Sequence, residues 1–270
     1  MTSATPLHPA TIAPADMIAG MAKGMAVLES FDTERQRLNA TLAAQRAGIT
    51  RAAARRHLLT LAYLGYLETD GSYYWLSSKV LRFSGSYLSS ARLPRVLQPT
   101  LNRLAAQTQE SFSAVVLDAD EVVIVARSGN DWRSSPSGKA QVLAYGLHLG
   151  ARLPVHATST GRVLLAALSK PALNAWLEAR TLRRLTAHTV TEPQVLRALV
   201  EQARSQDYCL ASEEHELGVQ ALAVPLRNLH GDTVGALNVV AAPHRRTLDD
   251  LERELLPVLQ DAARELRAML

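Results

Sequence analysis

Six arginines, Arg35, Arg37, Arg46, Arg51, Arg55 and Arg56, fall between Arg35 and Leu67 with no acidic residue in the same stretch. Guanidinium groups at this density suit a polyanion, because each is permanently charged and can fork onto a phosphate or onto the edge of a guanine. Arg51, Arg55 and Arg56 share the run from residue 51 to 64, in which Ala54, Leu58, Leu61 and Leu64 recur at helical spacing. Arg51 and Arg55 lie one turn apart opposite the leucines, with Ala52 and Arg56 beside them, so one side packs and the other stays free to bind. An arginine-rich helical face is often plain solvated surface, and its neighbours decide between the two readings.

Those neighbours form an ordered set. Thr50 offers an N-cap to the cationic helix, and residues 38–47 read as a preceding helix stopped by Gly48. A helix, the turn Gly48-Ile49-Thr50 and a second helix have the spacing of a DNA-binding helix-turn-helix, whose second helix enters the major groove. Two β-rich runs then flank Asp70-Gly71, a hairpin signal that supplies a wing. A first helix over residues 19–31, with Met21, Met25 and Leu28 inward, completes a three-helix domain ending near Leu76. Double-stranded DNA is the expected partner.

A second candidate site lies at Gly150–Arg162, a polar loop running into a helix over residues 160–168. Unpaired N–H groups of a first helical turn, with the hydroxyls of Thr158, Ser159 and Thr160, suit a small carboxylate; the plainer reading is that Ser159 or Thr160 only caps the helix. Ser212-Glu213-Glu214-His215-Glu216 contains metal-ligand types, but three acids before Gly218 read better as solvated charges or caps in a surface turn. No nucleophile elbow, zinc-protease motif, phosphate loop or dinucleotide fingerprint occurs, so neither catalysis nor a cofactor is expected. Cys209 reads as a packed core residue.

With 270 residues the chain is expected to form two domains, and 47% hydrophobic with 20% charged residues is a globular composition. The net charge is +4, and residues 1–90 hold nine Lys and Arg against six Asp and Glu, so most of the excess lies in the first third. A single cysteine excludes an intrachain disulfide and a paired-cysteine zinc site. No run approaches the ~18 apolar residues of a membrane span and no leader pattern opens the chain, so a cytoplasmic protein without a membrane partner is expected.

The expected organisation is a flexible tail at 1–15, a winged helix-turn-helix domain at 16–78, a linker helix at 79–94 broken at Leu93-Pro94, and a domain at 95–270. The linker's apolar residues Val80, Leu81, Phe83, Tyr87 and Leu88 lack local partner surface, which suggests pairing with a second copy. Beyond it a helix at 97–107, strands at 112–117 and 121–126, helices at 160–168 and 192–206, strands at 220–226 and 234–241 and a long helix at 249–270 indicate an α+β sensor-type domain.

Ile49–Leu61, Leu64–Leu67, Gly150–Pro154, Thr160–Ala166, Leu185–Thr191 and Ala236–Val239 together resemble the IclR family of bacterial transcriptional regulators over nearly the whole chain. Within that family they look most like the PcaR/PcaU/PobR group, which governs catabolism of protocatechuate, 4-hydroxybenzoate and β-ketoadipate. The resemblance implies a winged helix-turn-helix, a dimerising linker helix and a GAF-like (profilin-like) effector-binding domain, with dimers often paired into tetramers, and RNA polymerase as a partner if the protein activates. It places an effector pocket at Thr158, Ser159, Thr160 and Gly161, with Ala211, Val219, Ala221, Asn238 and Val240 as further lining. At the DNA it places Arg51, Ala52, Arg55 and Arg56 behind Thr50 in the groove. Lys23 and Thr41 then fall at phosphates, and Ser72 and Tyr73 on the wing at backbone or minor groove.

Where family members that bind small oxo-acids offer an acid, a cysteine and two serines, this chain has Ala211, Ala221, Asn238 and Val240. A roomier, less polar pocket suits an aromatic carboxylate, phthalate among the candidates, better than a two- or three-carbon acid. Asp207 replaces a usual glycine and Arg227 a usual aromatic or histidine, departures expected to bear on the ligand. The rival readings are a regulator of non-aromatic organic-acid metabolism, an enzyme of aromatic degradation and a nonspecific architectural DNA binder.

Overall fold

The computed structural model describes residues 12–32, 35–128 and 147–270. Of the expected tail, residues 1–11 lie outside the described residues, and Pro14–Asp16 form a single 3-10 turn. The chain divides into two compact units between Ser90 and Ala91.

The N-terminal unit holds α1 (Ala19–Glu29), α2 (Ala40–Ala47), α3 (Arg51–Tyr63), β1 (Leu67–Thr69), β2 (Tyr74–Leu76) and α4 (Leu81–Ser90). α2 starts two residues later than the hydrophobic pattern suggests, because the Asn39 side chain accepts from the Thr41 and Leu42 N–H groups at 3.0 Å each. Leu38 is thereby freed to pair with Tyr74 of the wing. Gly48 ends α2 at φ 64°, a left-handed conformation that glycine adopts without Cβ strain, and the Thr50 side chain accepts from Ala53 N–H to start α3. Val27, Leu38, Ala43, Ala54, Leu58 and Leu67 are among the buried core residues.

Two expectations for this core need correction. Met21 and Met25 are 67% and 48% exposed rather than inward, because Val27, Ser30 and Phe31 at the C-terminal end of α1 make the buried contact. Leu64 is exposed as well, since α3 ends one residue before it.

The C-terminal unit opens with α5 (Arg92–Thr108). Leu93-Pro94 is therefore no break: Pro94 sits in the first turn of α5, where a missing N–H leaves nothing unpaired. After it come β3 (Ser111–Asp118), β4 (Glu121–Arg127), β5 (Arg152–Pro154), α6 (Ser159–Ala166), α7 (Lys170–Glu178), α8 (Pro193–Gln206), β6 (Cys209–Ser212), β7 (Gln220–Arg227) and β8 (Thr233–Ala241). The C-terminal segment runs from α9 (Leu248–Asp250) through a π-helical turn, Leu251–Leu255, into α10 (Leu256–Leu266). It is not the single regular helix expected, and Pro257, which can donate no bond to the preceding turn, accounts for the interruption.

Among the described residues six strands form one antiparallel sheet in the order β5-β4-β3-β8-β7-β6. Alternate residues divide between two cores. Val115, Ile124, Ala223 and Ala236 pack with α6, α7 and α8, while Phe112, Leu222, Leu237 and Val239 pack with α5 and α10. Covering both faces makes β7 and β8 read as nearly continuous apolar runs.

Candidate functional site

The cationic helix is built as its capping signals require. Arg51, Ala52, Arg55 and Arg56 are all exposed on α3, while Ala54, Leu58 and Leu61 are buried behind them. None of the three guanidinium groups forms a hydrogen bond or ion pair among the described residues, so the face remains available to a polyanion. The wider arginine cluster is less free than its sequence suggests. Arg37 pairs with Asp70 at 3.1 Å and lies 4.3 Å over the Trp75 ring, and Arg46 pairs with Asp32. The acids that offset these two arginines come from outside the acid-free stretch. Lys23 on α1, Thr41 on α2, Thr50 ahead of α3, and Ser72 and Tyr73 in the hairpin are likewise exposed. Asp70 fixes the hairpin tip by accepting from the Ser72 and Tyr73 N–H groups at 3.0 and 2.8 Å, and those bonds hold its carboxyl below the usual carboxylate range.

The second site is a cavity bounded by the sheet, the start of α6 and the turn between β6 and β7. Eight of the nine expected effector residues line it: Thr158, Ser159, Thr160, Ala211, Val219, Ala221, Asn238 and Val240. Gly161 does not. It is needed where it is because a Cβ there would fall 2.6 Å from the Val155 Cα and closer still to the Val155 carbonyl oxygen. The helix is capped one residue earlier than expected, by Thr158, whose hydroxyl accepts from Gly161 N–H at 3.1 Å. That frees Ser159 and Thr160, both buried, to present unpartnered N–H groups and hydroxyls at a helix N-terminus, where the dipole favours a negative charge.

The Ser212–Glu216 turn is not the solvated surface its composition suggests. Glu213, Glu214, His215 and Glu216 all line the cavity, and Glu214 is buried against the Arg162 guanidinium. Glu214 also accepts from Val190 N–H at 3.3 Å, and its carbonyl accepts from Thr189 Oγ1 at 2.7 Å, which ties the turn to the 186–190 loop. Burial, and then the neighbouring His156, pushes the His215 pKa down, keeping the ring neutral near pH 7. Among the described residues no three metal-ligating side chains cluster. Cys209 is buried, and burial raises its thiol to about 11.

Comparison with known proteins places both units. The IclR helix-turn-helix domain matches residues 20–71, and the bacterial transcriptional regulator IclR C-terminal domain matches residues 85–268. The chain belongs to the IclR family.

Its IclR-family relatives include the Pca operon regulatory protein of Acinetobacter baylyi, 51% identical over 255 residues, which are 94% of this chain and 90% of the relative. The p-hydroxybenzoate hydroxylase transcriptional activator of the same organism is 51% identical over 252 residues, 93% of this chain and 92% of the relative. Among solved structures, a double mutant of the inducer-binding domain of the PobR transcription factor from Acinetobacter, in complex with 3-hydroxybenzoic acid, is 46% identical. It aligns with a TM-score of 0.60 over 66% of this chain and 98% of that one. Like these IclR-family relatives, the chain is a DNA-binding transcriptional regulator. No helix among the described residues is long and apolar enough to cross a membrane.

Two departures from the IclR-family pattern acquire a structural reason. Asp207 ends α8 at φ 65°, the left-handed position where glycine is easiest, and its carboxylate takes both Arg227 guanidinium nitrogens at 2.6 and 2.5 Å. The two unusual residues are partners of each other, and neither lines the cavity.

Proposed function

We propose that this IclR-family regulator binds a palindromic operator as a dimer or as a tetramer of two paired dimers, and that an aromatic carboxylate in the C-terminal cavity changes its grip on DNA. The observation that carries the reading is the cavity itself: two unpaired N–H groups and two hydroxyls of α6 face a space otherwise walled largely by Val115, Ile124, Leu153, Ala221 and Val240. The names of the Pca and p-hydroxybenzoate relatives and the hydroxybenzoate held by the PobR domain support the same ligand class.

On the DNA side, Arg51, Ala52, Arg55 and Arg56 meet base edges or phosphates behind Thr50. Lys23 and Thr41 hold backbone, and Ser72 and Tyr73 carry the wing contact. Leu81, Phe83 and Tyr87 are exposed on α4 and supply the apolar surface for pairing with a second copy. The working divisions are a DNA-binding domain at 16–78, a linker at 79–94 and an effector domain at 95–270.

Adding hydroxybenzoates to the full chain is expected to raise its melting temperature and to change its affinity for a bound duplex about 5–150-fold, the usual range of allosteric coupling. Calorimetry and fluorescence anisotropy measure the two effects. An unchanged melting temperature with every aromatic acid, at millimolar concentration, would refute the sensing role.

A further inference from the structure

The cavity contains a second polar station besides the start of α6. Asn238 projects from β8, is 8% exposed and lines the cavity, yet its side chain has no hydrogen-bond partner, and its Oδ1 is fully buried. The His215 ring is in the same condition at the turn between β6 and β7, with a buried Nδ1 that bonds to nothing. Ser113, opposite Asn238 in the β3–β8 pairing, is buried and lines the same wall. Buried polar atoms are normally paired, so two left unpaired in one cavity call for a ligand atom that satisfies them.

We propose that Asn238 and His215, with Ser113 behind them, form a subsite that reads a hydroxyl on the ligand ring, while Ser159 and Thr160 hold its carboxylate. This rests on the aromatic-carboxylate reading above and makes it specific. A hydroxyl is the group that fits, because it donates and accepts at once and is satisfied whichever way the Asn238 amide faces and whichever His215 nitrogen carries the proton. A second carboxylate fits badly: it can only accept, and Glu213, Glu214 and Glu216 line the same cavity with no Lys or Arg among its described lining residues. The subsite therefore selects hydroxylated monocarboxylates over both the bare acid and the diacid.

Isothermal titration of the full-length wild type with benzoate, 3-hydroxybenzoate, 4-hydroxybenzoate and terephthalate tests this directly. The better hydroxybenzoate is expected to bind about 10–100-fold more tightly than benzoate, and terephthalate more weakly than benzoate. In Asn238→Leu and His215→Phe that preference is expected to fall below about 3-fold with benzoate binding retained, and Asn238→Ser is expected to restore part of it. Equal wild-type affinities for benzoate and both hydroxybenzoates would overturn the subsite while leaving aromatic sensing intact. A preference that survives both apolar variants would also overturn it. If no aromatic acid binds, the proposed function itself falls. Should a variant fail to fold, the wild-type ligand series alone still decides, since it needs no substitution.

Discussion

Glu214→Ala is expected to lower the unfolding free energy of the C-terminal unit by about 3–5 kcal/mol, the cost of leaving a buried charge without its counterion. The Arg162 side chain is 2% exposed and pairs with Glu214, itself 10% exposed, and Arg162 Nε already bonds to nothing. Removing the carboxylate strands a guanidinium inside the core formed by α6 and the sheet. It also leaves the Val190 N–H without its acceptor and loosens the turn that carries His215. The double substitution Arg162→Met with Glu214→Leu should recover most of the loss, because a buried ion pair replaced as a whole by apolar residues is often neutral. Urea unfolding followed by tryptophan fluorescence reads both effects, Trp176 lying in this core. A cost below about 1 kcal/mol for the single change would mean that Arg162 reaches water by another route.

Gly161→Ala should be nearly as damaging, for a reason of space rather than charge. The added methyl meets the backbone of Val155, so either the 3-10 turn at Val155–Ala157 or the first turn of α6 must move. Overpacking of this kind costs typically about 1–3 kcal/mol. The move also misplaces the Ser159 and Thr160 N–H groups. A charge-assisted hydrogen bond contributes about 1.5–3 kcal/mol, so loss of one weakens a bound carboxylate roughly 10–100-fold. Calorimetry with 4-hydroxybenzoate, beside an unfolding curve, separates the two effects. Unchanged affinity would show that the carboxylate is held elsewhere.

How much of this was legible in the sequence depended on how local each determinant was. The helix-turn-helix could be read because Gly48, Thr50 and the Ala54, Leu58, Leu61 stripe act within a few residues of one another. Asp70-Gly71 announced the wing in the same way. Offsetting charges were not legible: Asp70 lies 33 residues from Arg37, and Glu214 lies 52 from Arg162. A turn of glutamates therefore resembled solvated surface when it was a cavity wall. β5 and β6, three and four residues long, are too short for alternation to declare them. α7 was overlooked although Ser169 ahead of Pro171 is a sound start signal, its hydroxyl accepting from Ala172 N–H at 3.4 Å. Asp207 and Arg227 looked like changes around a ligand because their mutual bond joins the end of α8 to β7, a contact that no local pattern announces.

Sequence-specific operator binding depends on α3. Its most direct test compares wild type with Arg55→Ala by fluorescence anisotropy, on a duplex selected by the wild-type protein from a random library and on a scrambled control, across a salt series. Arg55→Ala is expected to lose about 1–3 kcal/mol on the selected duplex and less on the control, with a flatter salt dependence where a phosphate contact has gone. Equal affinity of the two proteins for the selected duplex at every salt concentration would contradict it.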